Sequence, residues 1–596
     1  MRKSAIALAI LLCSFILAFA DDAQEKSLAA FQNDMPKADV GNIKLMKRIG
    51  KIWEQFNEAP GSFTPSSQDL RKGYTIFTRR YDEYVYPNTL PKKEQITNRL
   101  RCSAAPGEYE PVMFLVYPHK DISKITASCS GLISAGNKAI QKDNISINYM
   151  KYDMEGDFQT MVCRNKWLLP GPCNAVTGVP RPFLVTMKIP EDVPGGIYEG
   201  KIIVELDGAK EELDLTVEVH PFKFASFGPE NLFTYYIYFT YTPEYLEKMC
   251  PDLRAHGANM FHMMFRDIFG LKFKDKEVTV DFSKAEKYMA VLQKYGFRTI
   301  IMEITGIQLA IVDNLKCGFY DDTFNKAYSG ALKQLKEKFE KEKWPDFYLY
   351  IDEVRDHDID NPRPLARAYK DVIQMSKLHR DAGLKSLDIF MLDSGGVRAD
   401  DSNLQANYWE LLPWLDGVMT HGWMKSRKIM EEAQKQHKML LFYNCGAARF
   451  TMGYLTYILG ATGNSQVTYN GPARVSTSSP YKSNTEGIVA VTPDGPVDTI
   501  RFEWMREGID DYRYIRTLEE IMKQAGDRCP AQLEEAKSVL SVLKKFKPGD
   551  SKASGAESEV LSEEDKSLFN GEKMDETRLK IAKCIIAINE RLNPAK

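Results

Sequence analysis

Phe347-Tyr348-Leu349-Tyr350-Ile351-Asp352-Glu353 is the stretch on which the fold turns. Five aromatic or aliphatic residues make a run of strand length that stops at two adjacent carboxylates. Helical apolar spacing precedes it over residues 323–341 and follows it over residues 364–382. A short apolar run between two helix-length patterns predicts a βαβ unit in a parallel sheet.

The alternation continues in both directions. Further strands are predicted at 233–239, 259–265, 299–305, 387–393, 417–422, 439–445 and 465–469, with helices at 243–256, 283–295 and 425–437. Eight strands alternating with helices over about 240 residues predict a (β/α)8 TIM-type barrel. A doubly wound open sheet is the rival. It places a Gly-rich turn after its first strand, and Phe239-Thr240-Tyr241-Thr242 has none.

Upstream the period changes. Residues 111–117, 182–189, 201–206 and 213–219 are short strands separated by Gly and Pro turns such as Gly195-Gly196. That pattern predicts a β-sandwich domain over 96–222. Residues 500–524, 530–546 and 575–592 have helical spacing, interrupted by a polar stretch at 547–573. The predicted organisation is a leader at 1–20, a helical or irregular preface at 21–95, the sandwich at 96–222, the barrel with its closing helix at 223–525, and a helical tail with a polar insert at 526–596.

The leader is read from Arg2 and Lys3, the apolar run that follows, and Ala18-Phe19-Ala20 before Asp21-Asp22. This is the pattern of a cleaved export signal. The protein is expected to be periplasmic or secreted, with no integral membrane span after cleavage. The chain carries 79 Lys and Arg against 81 Asp and Glu, a net charge of -2. A nucleic-acid partner would call for a basic excess, so none is expected. The ten cysteines are scattered and form no disulfide framework; Cys163 and Cys173, flanking a Pro-Gly loop, are one pairing their spacing suggests. No CxxC, HExxH or His-x-His occurs, so neither metal nor other cofactor is expected.

In a (β/α)8 barrel, chemistry gathers at the C-terminal ends of the strands. That rule selects Glu303, Asp352, Glu353, Asp393, His421, Trp423, Tyr443 and Asn444. Asp352 and Glu353 stand out. Adjacent strand residues point to opposite faces, but where the strand turns into a loop both can reach one cavity. Crowded carboxylates raise one another's pKa, which keeps one protonated as a general acid. An ion pair with Arg355 or a helix cap is the structural alternative. Glycoside hydrolysis normally uses two carboxylates, yet strand 7 ends in Tyr443, Asn444 and Cys445. A substrate's own 2-acetamido oxygen can replace the missing nucleophile, with an enzyme carboxylate steadying the acetamido group.

The Asp352-Glu353 pair at strand 4 resembles glycoside hydrolase family 123, whose members are substrate-assisted β-N-acetylgalactosaminidases. Ala105-Pro106-Gly107-Glu108-Tyr109-Glu110-Pro111 is similar to the sandwich entry of that family and of related bacterial glycosidases. Residues 189–200 are similar to its later hairpin. Pro493-Asp494-Gly495-Pro496 and residues 500–512, which include Arg506-Glu507-Gly508-Ile509-Asp510-Asp511-Tyr512, are similar to its closing helix. The resemblance spans roughly residues 75–525.

It implies Glu353 as general acid/base and Asp352 as the residue that orients the acetamido group. It also implies release of a terminal β-linked N-acetylhexosamine, N-acetylgalactosamine in that family, from a glycan or glycoconjugate. The family often has Pro after the pair; here Val354 follows. For substrate binding, Tyr443 is a candidate donor to the acetamido oxygen and Trp423 a sugar-stacking ring. Asn444, His421, Asp393 and Glu303 are candidate hydroxyl contacts. Packing beneath a rim loop is the competing account of each. Arg506, Glu507, Asp510 and Asp511 form an i, i+4 charge set expected to be structural. Two other functions stay open: a retaining glycosidase with an enzyme nucleophile such as Asp393, and a non-catalytic carbohydrate-binding protein.

Overall fold

The computed structural model describes residues 61–155, 162–228, 231–237, 242–351, 365–391, 409–421, 427–444, 446, 448–470, 488–543 and 569–593. The predicted leader and most of the polar insert lie outside them. Two compact units emerge. Of the described residues, one comprises those up to Lys223 and those within Asn470–Glu503; the other comprises those within Phe224–Tyr469 and from Trp504 onward.

The first unit is built from two sheets. Strands β1 (Tyr74–Arg79), β3 (Tyr109–Pro118), β6 (Ile145–Glu155), β7 (Val162–Pro170) and β9 (Arg181–Lys188) form one, in the order β1-β3-β9-β6-β7. Strands β2 (Arg99–Ala104), β4 (Ile122–Ser134), β5 (Ala139–Ile140), β10 (Gly196–Leu206) and β11 (Ala209–Val219) form the other, in the order β2-β11-β10-β4-β5. The short β8 (Cys173–Ala175) pairs with β4. β10 and β11 alternate buried and exposed residues, as strands with one solvated face do. Their hairpin turns on Asp207-Gly208, both at positive φ (46° and 90°), the type I′ geometry that matches strand twist. Phe114, Val185, Ile202, Val204, Leu213 and Leu215 join one core from both sheets. The side chain of Cys163, which the spacing suggested as a partner for Cys173, lies outside the described residues.

Two features differ from the sequence reading. Tyr74–Arg79, within the stretch read as an irregular preface, pairs antiparallel with β3 from Tyr74↔Pro118 to Arg79↔Met113. Residues 488–503 group with the sandwich unit, and Ala490 and Val497 enter its core, while Val489 pairs in parallel with Asn470.

In the second unit, β12 (Leu232–Ile237), β13 (Met260–Met264), β16 (Thr299–Glu303), β17 (Asp346–Tyr350), β18 (Lys385–Met391), β19 (Gly417–His421), β20 (Met439–Tyr443) and β21 (Gly463–Asn470) correspond to the eight predicted strands. They run β13-β16-β17-β18-β19-β20-β21, and β12 pairs with β21. The Asn259 amide donates to the Phe233 carbonyl at 3.0 Å, drawing β12 toward β13 and nearly closing the ring. A Cβ at Gly463 would overlap the Leu232 carbonyl oxygen, so the β12–β21 seam requires glycine there. A hairpin of β14 (Gly270–Lys274) and β15 (Glu277–Asp281) interrupts the alternation.

The barrel helices follow from caps and spacing. Thr242 accepts from the Tyr245 amide and Pro243 fills the first helical position of Pro243–Ala255, which buries Leu246, Met249, Cys250 and Leu253. Asp321 caps Asp322–Glu342 through the Phe324 amide. The tail helix Gly571–Leu592 is capped by Asn570 and buries Met574, Arg578, Ile581, Ile585 and Ile588. No described helix is long and apolar enough to cross a membrane.

Candidate functional site

Barrel strands alternate inward and outward residues. The interior cluster takes Tyr236 from β12, Met260 and Met264 from β13, Ile301 from β16, Tyr350 from β17 and Leu441 from β20. The same parity turns His262, Glu303 and Tyr443 inward. Parallel register pairs Met264 with Glu303 and Glu303 with Tyr350. Glu303 therefore ends its strand in the layer at the C-terminal mouth of the barrel.

Glu303 is 8% exposed, and the Tyr236 hydroxyl donates to its Oε2 at 2.9 Å. Tyr236 is the hub of an aromatic collar. Its ring lies 4.2 Å from the His262 ring, tilted by 32°, and meets Tyr443 edge-on at 6.3 Å. His262 in turn meets Tyr350 edge-on at 6.4 Å. His262 is fully buried. Burial pushes its pKa down to about 3, with the Ile237 backbone pulling the other way, so the imidazole is neutral at neutral pH. Neither of its ring nitrogens has a hydrogen bond of good geometry among the described residues.

Asn444 follows Tyr443 in the left-handed region, with φ of 49°. Its amide donates to the Ser465 carbonyl at 3.2 Å, and its Oδ1 accepts from Gln466 Nε2 at 2.8 Å. The side-chain oxygen is thus held toward β21, and the side-chain Nδ2 has no hydrogen bond among the described residues, which leaves it as a donor for a ligand.

Of the residues selected from sequence, Glu303 and Tyr443 are brought into one lumen through Tyr236, and Asn444 lies next along the chain. His421 ends β19, paired with Met391; its side chain is outside the described residues. Asp352, Glu353, Asp393 and Trp423 also lie outside them. Asp352 and Glu353 follow Ile351, whose amide donates to the Leu387 carbonyl at 3.1 Å. Tyr236, His262 and Tyr350 were not selected from sequence. The available signal was a tyrosine late in the first predicted strand, at the parity that faces the lumen.

A carboxylate steadied by a tyrosine hydroxyl, among aromatic rings, suits a neutral polyhydroxylated ligand. Carboxylate and hydroxyls exchange hydrogen bonds with sugar hydroxyls, while the rings cover apolar sugar faces.

The charge set on the closing helix Ile500–Ala525 is buried. Asp511 accepts from both Arg449, at 2.7 and 3.1 Å, and Arg578, at 2.6 Å. Arg578 also donates to the Glu507 carboxylate at 2.9 Å. Burial pushes Glu507 up to about 7, against the pull of Arg578 and Arg506. Gly508 lies where a Cβ would overlap the Arg449 carbonyl oxygen and stand 2.8 Å from Met452 Cβ.

The fold is a β-sandwich unit with a nearly closed eight-stranded parallel barrel and a helical C-terminal segment. A family 123 glycoside hydrolase from Clostridium perfringens shares it, with a TM-score of 0.65 over 87% of this chain and 100% of that one, at 13% sequence identity. Weaker matches include an endo-β-1,4-mannanase from Thermotoga petrophila, with a TM-score of 0.34 at 13% identity over 48% of this chain and 78% of that one. A putative alpha-galactosidase from Bacteroides fragilis matches with a TM-score of 0.25 at 10% identity, over 69% of this chain and 77% of that one. No family model and no curated protein matches the sequence.

Proposed function

We propose that the protein is an exported glycoside hydrolase that releases a terminal β-linked N-acetylhexosamine, N-acetylgalactosamine in the first instance, from a glycan or glycoconjugate. The carrying observation is the match of both units to the family 123 enzyme along its whole length, with β17 leading straight into Asp352-Glu353. That enzyme is described as hydrolysing glycolipid glycans, which makes a glycolipid headgroup the first natural substrate to try.

In this reading Glu353 protonates the leaving oxygen as the C1–O bond breaks. The substrate's acetamido oxygen attacks C1 and forms an oxazolinium ion, with Asp352 holding the acetamido N–H. Water, deprotonated by Glu353, then opens that ring with net retention. Tyr443 donates to the acetamido oxygen, and Glu303 accepts from a sugar hydroxyl.

The test is a panel of chromogenic glycosides with and without the 2-acetamido group, hydrolysed by wild type and Glu353→Gln. Cleavage of the 2-acetamido β-glycosides, inhibition by an oxazoline-like thiazoline, and loss of turnover on poor leaving groups in Glu353→Gln are expected. Activity without thiazoline inhibition would remove the substrate-assisted mechanism. Glu303, an inward carboxylate on the strand beside β17, favours one second reading: a retaining glycosidase with an enzyme nucleophile. Equal activity on sugars lacking the acetamido group would support that reading instead.

A further inference from the structure

The tail helix grips the connection that leaves strand β20. Arg449 stands five positions after Asn444 and is almost fully buried. Its guanidinium clasps Asp511 of the closing helix with two bonds and donates from Nη1 to Asp575 of the tail helix at 2.6 Å. Arg578, one turn further along the tail helix, donates to Asp511 and Glu507, and also to the Glu507 backbone carbonyl at 2.8 Å. The Tyr454 hydroxyl donates to the Met574 carbonyl at 3.0 Å. Phe569 packs its ring 4.8 Å from Phe450 and 5.9 Å from Tyr454. Gly453 and Gly508 let the two helical backbones touch, since a Cβ on either would overlap a carbonyl oxygen of the other segment.

Packing alone does not require this chemistry. A helix can cover the outside of a barrel with apolar contacts, and a buried ion network gains little stability over well-packed hydrophobic residues. What charge-assisted, partly bidentate bonds add is fixed geometry. Here the fixed geometry is applied to Arg449 and its neighbours, directly downstream of the strand end that carries Tyr443 and Asn444.

We infer that the C-terminal helix is a positioning element for the barrel mouth: Asp575 and Arg578, acting through Arg449, set the backbone of the β20 connection and so the placement of Tyr443 and Asn444. The tail is then a working part of the site rather than an appendage. The inference rests on the proposed role of Tyr443 and Asn444 as sugar contacts.

Asp575→Asn is the perturbation of choice, because Asp575 is the one half-exposed member of the network and its loss leaves the Arg449–Asp511 clasp intact. Amide hydrogen exchange on the full-length protein is expected to quicken at Asn444 and across residues 448–458, with the sandwich strands unchanged. KM for the best 2-acetamido chromogenic glycoside is expected to rise about three- to tenfold, as for loss of a partly exposed charge-assisted bond, with kcat held within about twofold. In an Asn444→Ala background the same substitution is expected to raise KM less than it does in wild type, because the share that passes through Asn444 is already lost. Unchanged exchange at Asn444 and 448–458 overturns the inference whatever the enzyme hydrolyses. An undiminished KM effect in the Asn444→Ala background overturns it as well, by making the clamp merely structural. Should wild type cleave no glycoside in the panel, the functional reading fails, and the exchange experiment decides the coupling alone.

Discussion

Replacing Tyr236 by Phe isolates one atom of the candidate site. The ring remains, with its tilted contact to His262 at 4.2 Å and its edge contact to Tyr443 at 6.3 Å. What disappears is the hydroxyl that donates to Glu303 Oε2 at 2.9 Å. A hydrogen bond to a charged group contributes about 1.5–3 kcal/mol. If Glu303 orients the sugar, that loss appears in transition-state binding as a fall of about 10- to 100-fold in kcat/KM, at 1.4 kcal/mol per decade. The assay is initial-rate kinetics at 25 °C on the most reactive 2-acetamido β-glycoside, with a thermal melt to confirm folding. Glu303→Gln is the companion, since an amide oxygen still accepts from Tyr236 while the charge is gone. The two substitutions share one interaction, so their effects should fall short of additive. A folded Tyr236→Phe enzyme with kcat/KM within twofold of wild type would refute the role given to this pair.

Acid sensitivity should trace in part to two histidines. Burial pushes His262 and His379 down to about 3 from 6.5. Between those values the unfolded chain binds the protons the folded one refuses, so stability should rise with pH across the window and be lost as pH falls, by about 1.4 kcal/mol per pH unit for each group. Urea midpoints from pH 7 down to 4 would show it. The two should respond differently to Phe at neutral pH. His379 bridges the Tyr328 hydroxyl and the Ser386 hydroxyl, each at 2.8 Å, so His379→Phe strands two buried groups and should cost about 2–4 kcal/mol. His262→Phe should be near neutral and should flatten the acid limb; a large loss would show that its nitrogens have partners. Gly508→Ala should cost about 1–3 kcal/mol by forcing apart the closing helix and the segment at Arg449, read as a lowered melting temperature.

The barrel was legible because its strands are short, apolar and parallel. Buried on both faces, such strands read as continuous hydrophobic runs between helix-length patterns, and all eight fell where that rhythm put them. The sandwich was legible from alternation and turn residues. The same signals failed at Tyr74–Arg79, a single edge strand whose pairing with β3 spans some forty residues of chain. They failed again at β22 (Val489–Thr492) and β23 (Gly495–Asp498), which continue the sheet after β21 yet put Ala490 and Val497 into the sandwich core. Nothing local records which unit a short strand will join.

For the candidate site, sequence supplied the strand ends, because the topology of the fold places chemistry there whatever the residues. It therefore reached Glu303, Tyr443 and Asn444. It did not reach Tyr236 or His262, which look like ordinary members of aromatic, Met-rich strands. Tyr236 meets Glu303 across 67 residues of sequence, and only ring closure around β13 brings them to hydrogen-bonding distance. The tail shows the same division. Its helix, spacing and cap were written locally, but its Arg578 and Asp575 acquire meaning from Arg449 and Asp511, which folding delivers from far upstream. Periodicity and turn chemistry act over a few residues, so sequence alone determined the kind and order of elements. Contacts between side chains distant in sequence form only when those elements close on one another, so the tertiary structure alone decided which residues share the mouth of the barrel and what holds them there.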